Sequence, residues 1–173
     1  MADPTHNYDH PRTIVIGLGN TMLGDDGVAW RVADGVEALL ETDRRGGGRF
    51  RAVDVARIAV GGLGLMEQLT DYDSAVVIDA AEFAGRPIGD VRSCPLEELG
   101  EYGAGHIDSA HDTSLLTALA LGRRLGTSLP DRIDTVTIQI RRMDVFTEEL
   151  SPEVATAVPA AVALVMGLLA VGG

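Results

Sequence analysis

Three stretches of the chain carry the residue types best suited to chemistry. They are Gly19-Asn20-Thr21-Met22-Leu23-Gly24-Asp25-Asp26-Gly27, the isolated Asp79, and His106-Ile107-Asp108-Ser109-Ala110-His111-Asp112. Two carboxylates, Asp26 and Asp79, with the imidazole of His111, make a three-ligand set for a divalent transition metal that leaves coordination positions open. Oxygen and nitrogen donors without a thiolate suit nickel or zinc and do not choose between them. Each residue also has a plainer reading. Asp25 and Asp26 are acidic residues at the opening of a helix, whose dipole stabilises them by ~0.3–1 kcal/mol. Asp79 closes a fully apolar strand, so its carboxylate is solvated, hydrogen-bonded or bound to something. His111 precedes a helix, beside the better capping residues Asp112 and Thr113. His106 and Asp108 are at most supporting partners.

Other chemistries fit poorly. Gly17-Leu18-Gly19 before a helix invites a dinucleotide-binding reading, with Asp54 as the ribose contact, but Met22 stands where the third glycine belongs. Asp25 and Asp26 would also set negative charge where a pyrophosphate needs the positive end of a helix. No Gly-Lys-Ser or Gly-Lys-Thr marks a Walker loop, and no G-x-S-x-G elbow marks a serine hydrolase. An H-E-x-x-H zinc helix is absent: His106 and His111 have the wrong spacing, and Ala110 precedes the second.

The elements that must position these residues alternate. Thr13 to Leu18 is a short apolar run ending beside Gly19, the pattern of a buried central strand. Gly27 to Leu40 places Val28, Arg31, Val32, Val36 and Leu39 at helical spacing, closed by Gly46-Gly47-Gly48. Phe50 to Ala56 reads as a second strand, Leu63 to Leu69 as a short helix, and Ala75 to Ile78 as a third strand ending at Asp79. Asp90 to Cys94 reads as an edge strand. Thr113 to Leu125 is a helix with Leu115, Leu116, Leu119 and Leu125 as its stripe, and Ile133 to Ile140 alternates as a strand. A final helix starts near Ser151-Pro152-Glu153, with Ser as N-cap and Pro in the first turn. The fold class is therefore α/β: one domain over residues 13–173, with about five strands in a twisted, mostly parallel sheet and helices on both faces. Residues 1–12 read as a disordered lead-in. In such sheets ligands sit beyond the carboxyl ends of the strands, where Asp26 and Asp79 fall.

Composition narrows the partners. Of 173 residues, 26 are acidic and 14 basic, giving a net charge of −12 that opposes binding to nucleic acid. Cys94, the single cysteine, permits no internal disulfide and fits a reducing cytoplasm. Val154 to Gly173 carries no charge and is long enough to span a bilayer. It is rich in Ala and Gly, contains Pro159 and lacks basic anchors, so it reads as a helix packed on the sheet or on a partner.

Gly17-Leu18-Gly19-Asn20-Thr21-Met22-Leu23-Gly24-Asp25-Asp26-Gly27 resembles the opening motif of the hydrogenase maturation proteases, in which G-x-G-N is followed by D-[DE]-G. The resemblance continues at Val60-Gly61-Gly62-Leu63-Gly64-Leu65-Met66-Glu67, Val77-Ile78-Asp79-Ala80, Ser109-Ala110-His111-Asp112-Thr113 and Glu149-Leu150-Ser151-Pro152-Glu153-Val154. The motifs run in the family's order from Thr13 onward. The resemblance implies an endopeptidase that removes the C-terminal extension of a nickel-loaded [NiFe]-hydrogenase large-subunit precursor in the cytoplasm. It implies that Asp26, Asp79 and His111 contact nickel supplied by the precursor, and that Gly61 and Gly62 recognise the precursor. Asp26 and Asp79 are then the catalytic carboxylates, in the manner of an aspartic-type peptidase. No nucleic acid or membrane partner is expected, and the protein is read as a monomer or weak homodimer. The alternative on the same fold is a non-catalytic metal or precursor chaperone.

The chain departs from the family pattern in three places. Many members have Glu at the position of Asp26, and Ala29 replaces a common Gly. The second turn often reads D-G-G-T, where this chain has Ala59-Val60-Gly61-Gly62, so precursor specificity is expected to differ.

Overall fold

The computed structural model describes residues 11–50, 52–59, 61–102, 110–141 and 146–172, with backbone alone for 100–102, 110–114 and 172. The first apolar run forms β1 (Thr13–Leu18), which leads through a 3-10 turn (Gly24–Gly27) into α1 (Val28–Arg45). There follow β2 (Val53–Ile58), α2 (Leu63–Gln68), β3 (Ser74–Ala81), β4 (Val91–Pro95), α3 (Leu96–Tyr102), α4 (Ala110–Arg124), β5 (Arg132–Gln139) and α5 (Pro152–Gly172). The sheet order is β2-β1-β3-β5-β4. Every pairing is parallel except that of β4, which lies antiparallel on β5 as the expected edge strand.

Period-two alternation divides the strand residues between two cores. On one face Val15, Val76, Ile78, Val136 and Ile138 pack under α1 and α5. On the other, Ile14, Ile16, Leu18, Val77 and Ala81 pack under α2, α3 and α4. Helices on both faces explain why the central strands read as continuous apolar runs.

Several boundaries and stripes differ from the sequence expectation. The buried row of α1 is Val28, Val32, Val36 and Leu40, strictly four apart, and Leu39 is 48% exposed. Each fully buried member contributes about 1.5–3 kcal/mol relative to exposure. In α4, Leu115 and Leu119 are buried, whereas Leu116 faces outward and Leu125 lies past the helix end at 75% exposure. β2 begins at Val53, three residues later than expected, because the N–H of Phe50 is still held by Asp43 in the turn that closes α1. β3 does not stop at Asp79 but runs on to Ala81, paired with Gln139 of β5. α4 starts at Ala110, so His111 belongs to its first turn and not to a preceding loop.

Cross-links fasten the periphery. Arg57 of β2 pairs with Asp34 at 2.7 Å and Glu37 at 2.6 Å on α1. Burial pulls the Arg57 pKa down, but the bonds to Glu37 and Asp34 outweigh it and hold the group above its ordinary value. Asp54, the ribose contact of the discarded nucleotide reading, accepts from Arg12 and from the Tyr72 hydroxyl. The lead-in reading of residues 1–12 falls, for 1–10, outside the described residues. Arg12 itself is anchored, its N–H donating to Asp73 at 2.7 Å.

α5 is long and apolar enough to cross a membrane by length and composition, with a mean hydropathy of 2.4. One face of it, Val154, Ala157, Ala161, Val165 and Leu169, is buried in the core shared with α1 and the sheet, as the packed-helix reading expected.

Candidate active site

The chain leaves β1 for β2 on one side and reaches β3 on the other, so the strand order reverses between β1 and β3. That reversal opens a crevice at the carboxyl ends of the two strands. Leu18, the last residue of β1, lies in register with Asp79 of β3. Asp79 is 6% exposed and also stands opposite Thr137 of β5. It shares a sheet face with Val77 and Ala81, the face covered by α2, α3 and α4.

Asp26 reaches the same edge because the loop after β1 doubles back. The N–H of Gly19 bonds the Ile58 carbonyl at 3.0 Å, tying the loop to the end of β2. Gly19 has φ +153°, and a Cβ there would collide with the Asp26 carbonyl oxygen. Only glycine lets the turn close this tightly. Asp26 Oδ2 then accepts the Asn20 N–H at 2.6 Å, and Asn20 Oδ1 accepts the Met22 N–H at 3.0 Å. At Gly27 a Cβ would stand 2.8 Å from the Thr21 Cα, so the second motif glycine also answers to a close backbone approach. The Asp26 carboxylate is partly exposed, held by its own loop at the mouth of the crevice.

Asp25 behaves differently from its neighbour. It lies in the 3-10 turn before α1, at the helix opening as the sequence suggested, but is 3% exposed, with its carboxylate turned to the chain that enters α5. Its Oδ1 accepts the Ser151 N–H at 2.6 Å and its Oδ2 accepts the Ser151 hydroxyl at 2.8 Å, immediately before α5. Ser151 thus occupies the expected N-cap position, but its hydroxyl donates to Asp25. Thr147 completes the strap: its N–H bonds the Met22 carbonyl at 3.0 Å, and its carbonyl accepts the Gly24 N–H at 2.7 Å.

The Gly61-Gly62 turn lies between β2 and α2, at the same edge of the sheet. Gly62 adopts φ 61°, ψ −127°, a conformation that strains any residue with a Cβ. His111 sits in the first turn of α4, the helix whose Leu115 and Leu119 cover the Asp79 face. Its side chain, and all of His106 and Asp108, lie outside the described residues. Among the described residues, which leave out the His111 side chain, no group of three or more His, Cys, Asp or Glu is placed to hold a metal.

One feature of this edge escaped the sequence reading. Arg86 and Arg141 line a cavity of about 510 Å³ beyond the ends of β3 and β5, with Phe83 and Gln139. The signal lay in β5, where Thr135, Thr137 and Gln139 alternate as buried polar residues on the Asp79 face.

The family model described as HycI, hydrogenase maturation protease, matches residues 49–168. The matched span includes Asp79 and His111, while Asp26 lies before it. No curated protein gives a sequence match. Among solved structures, the maturating endopeptidase HybD from E. coli superposes with a TM-score of 0.72 at 20% identity, covering 94% of each chain. The [NiFe] hydrogenase maturation protease HybD from Thermococcus kodakarensis gives 0.66 at 25% identity, over 91% of this chain and 98% of that one. The hydrogenase 2 maturation peptidase from Thaumarchaeota archaeon SCGC_AB-539-E09 gives 0.60 at 28% identity, over 91% and 97%. With a family model spanning most of its length and the fold shared throughout, this chain belongs to the hydrogenase maturation protease family.

Proposed function

We propose that this protein is the endopeptidase that removes the C-terminal extension of a nickel-loaded [NiFe]-hydrogenase large-subunit precursor in the cytoplasm. Support comes first from family membership. The observation that carries the site is the meeting of two acidic positions at the strand-order reversal: Asp79 stands in register with Leu18, and Asp26 is folded back onto the residues that follow Leu18.

Nickel enters this reading as part of the substrate. Two carboxylates and an imidazole suit a divalent ion of borderline softness that keeps other ligands, so Asp26, Asp79 and His111 are the residues assigned to touch it. The ion's role in our reading is recognition: only a loaded precursor presents its tail in register with the crevice. Gly61 and Gly62 contribute backbone at the same edge, where a substrate chain can approach closely because no Cβ intervenes.

For the hydrolysis itself, the carboxylates of Asp79 and Asp26 are the candidate general bases. One takes a proton from a water molecule as its oxygen adds to the scissile carbonyl carbon. The proton then passes to the departing amide nitrogen as the C–N bond breaks. One water is consumed, and the carboxylate returns to its ionised form.

The deciding experiment incubates the purified chain with nickel-loaded and nickel-free precursor and reads the product mass. A single defined shortening of the loaded form alone is expected. Stable binding without any change in mass would instead mark a chaperone.

A further inference from the structure

We propose that the cavity at the ends of β3 and β5 binds a carboxylate of the precursor's C-terminal extension through Arg86 and Arg141. The proposal rests on the endopeptidase reading above and names a subsite for it.

Guanidinium groups elsewhere in the described chain are mostly engaged. Arg12, Arg45, Arg57, Arg92 and Arg132 pair with carboxylates. Arg44, Arg49 and Arg123 donate to backbone carbonyls of Val53, Ala170 and Pro130. Among the described residues Arg86 and Arg141 have neither kind of partner, yet both line one cavity of about 510 Å³. Among the described residues Glu82 is the only acidic one lining it, beside the two cations. Local positive charge of this kind stands out in a chain of net charge −12.

The cavity has a fixed floor and holds Arg86 in place. Gln139 is 3% exposed, and its amide is used internally: Oε1 accepts the Phe83 N–H at 3.0 Å, and Nε2 donates to the Ile140 carbonyl at 3.1 Å. It is a floor and not a ligand. Phe83 is buried, and the Arg86 guanidinium lies 4.3 Å from the centre of its ring. That stacking restrains the planar fork while its N–H edges stay available, the geometry suited to bidentate carboxylate binding. Arg141 follows Gln139 by two residues.

Position supplies the ligand's identity. Gln139 pairs with Ala81, two residues beyond Asp79 on the same sheet face. Two residues of strand span roughly 6–7 Å, about the length of two residues of extended substrate. A peptide whose scissile bond lies at Asp79 therefore reaches the cavity within a few residues. The carboxylate is either the terminal one or an acidic side chain of the extension.

Processing of nickel-loaded precursor, followed by mass, tests this in wild type, Arg86→Met, Arg141→Gln and the double variant, with thermal melts as a control. Arg86→Met keeps apolar contact with Phe83 while removing the charge. Each single variant should raise KM about tenfold, the loss of one charge-assisted hydrogen bond. The wild-type KM should rise with salt more steeply than that of the double variant. A precursor with an amidated C-terminus, and another with its tail acids changed to amides, identify the source. Whichever carboxylate is bound, its removal raises the wild-type KM and adds nothing in the double variant. A folded double variant with wild-type KM overturns the subsite while leaving the endopeptidase intact, as does indifference to both altered precursors. A wild-type protein that cuts no precursor overturns both readings.

Discussion

Asp25 and Ser151 stand 126 residues apart in sequence and are joined by two hydrogen bonds, through the serine backbone N–H at 2.6 Å and its hydroxyl at 2.8 Å. With the Thr147 bonds to Met22 and Gly24, this junction straps the loop carrying Asp26 to the chain that enters α5. The paired acidic residues of the opening motif therefore divide the work. Asp25 looks inward and fastens the loop to Ser151, while the partly exposed Asp26 accepts the Asn20 N–H within the loop itself.

Replacing Asp25 with Ala should be among the more destabilising changes outside the apolar core. It leaves the Ser151 N–H and hydroxyl without their acceptor in a nearly closed environment, at a cost of about 2–3 kcal/mol. For a domain of this size that lowers the Tm by roughly 5–10 °C. Asp25→Asn keeps an acceptor oxygen and should lose less. Both variants should still process precursor well below their melting temperatures. A melt unchanged from wild type in Asp25→Ala would show that the strap carries no stability.

Substitutions at the crevice should give the opposite pattern. Asp79→Asn and Asp26→Asn preserve size and an acceptor oxygen, so the fold should melt normally. Processing should fall by at least ~10²-fold, the usual contribution of a positioned general base. His111→Ala should also abolish processing if the residue contacts nickel, as we propose. Normal trimming by Asp79→Asn and His111→Ala would remove the basis for the site assignment.

Much of this arrangement was legible because its physics is local. The apolar runs of β1 and β3, the glycines that close α1, and the Ser-Pro start of α5 each announce themselves by spacing alone. Asp79 was identifiable as a carboxylate set in apolar sequence, though its strand continues through Ala80 and Ala81, small apolar residues that carry no stop signal. What escaped depended on tertiary contact. Leu39 and Leu40 both suit a helical stripe, and only the position of α5 and the sheet decides that Leu40 is buried. The bond from Asp25 to Ser151, like the meeting of Arg86 and Arg141, joins distant segments that no periodicity relates.

Gly62 offers a test of the turn between β2 and α2. Its φ of 61° with ψ −127° is close to exclusive to glycine. Gly62→Ala should cost ~1–3 kcal/mol through backbone strain. If the turn contacts the precursor, as we propose, the same variant should also raise the KM for processing when assayed well below its melt. A variant with unchanged Tm and unchanged KM would contradict both the strained conformation and the recognition role.

Gly35 tests how α5 is seated. It lies on α1, and a Cβ there would come within 2.7 Å of Val162 Cγ2 on α5. Helix propensity alone would make Gly35→Ala stabilising by about 0.8–1 kcal/mol. The close approach opposes that gain, so Ala should be near neutral, with Val162 turning or α5 shifting slightly. Gly35→Leu cannot be absorbed in this way and should cost about 1–3 kcal/mol through overpacking. Because α5 begins at the Asp25–Ser151 junction, pushing it outward should also disturb the loop of Asp26. Gly35→Leu is therefore expected to lose processing activity as well as Tm, though it lies far along α1 from the crevice. A Leu variant that gains stability, as bare helix propensity would predict, would mean that α1 and α5 do not pack at this distance.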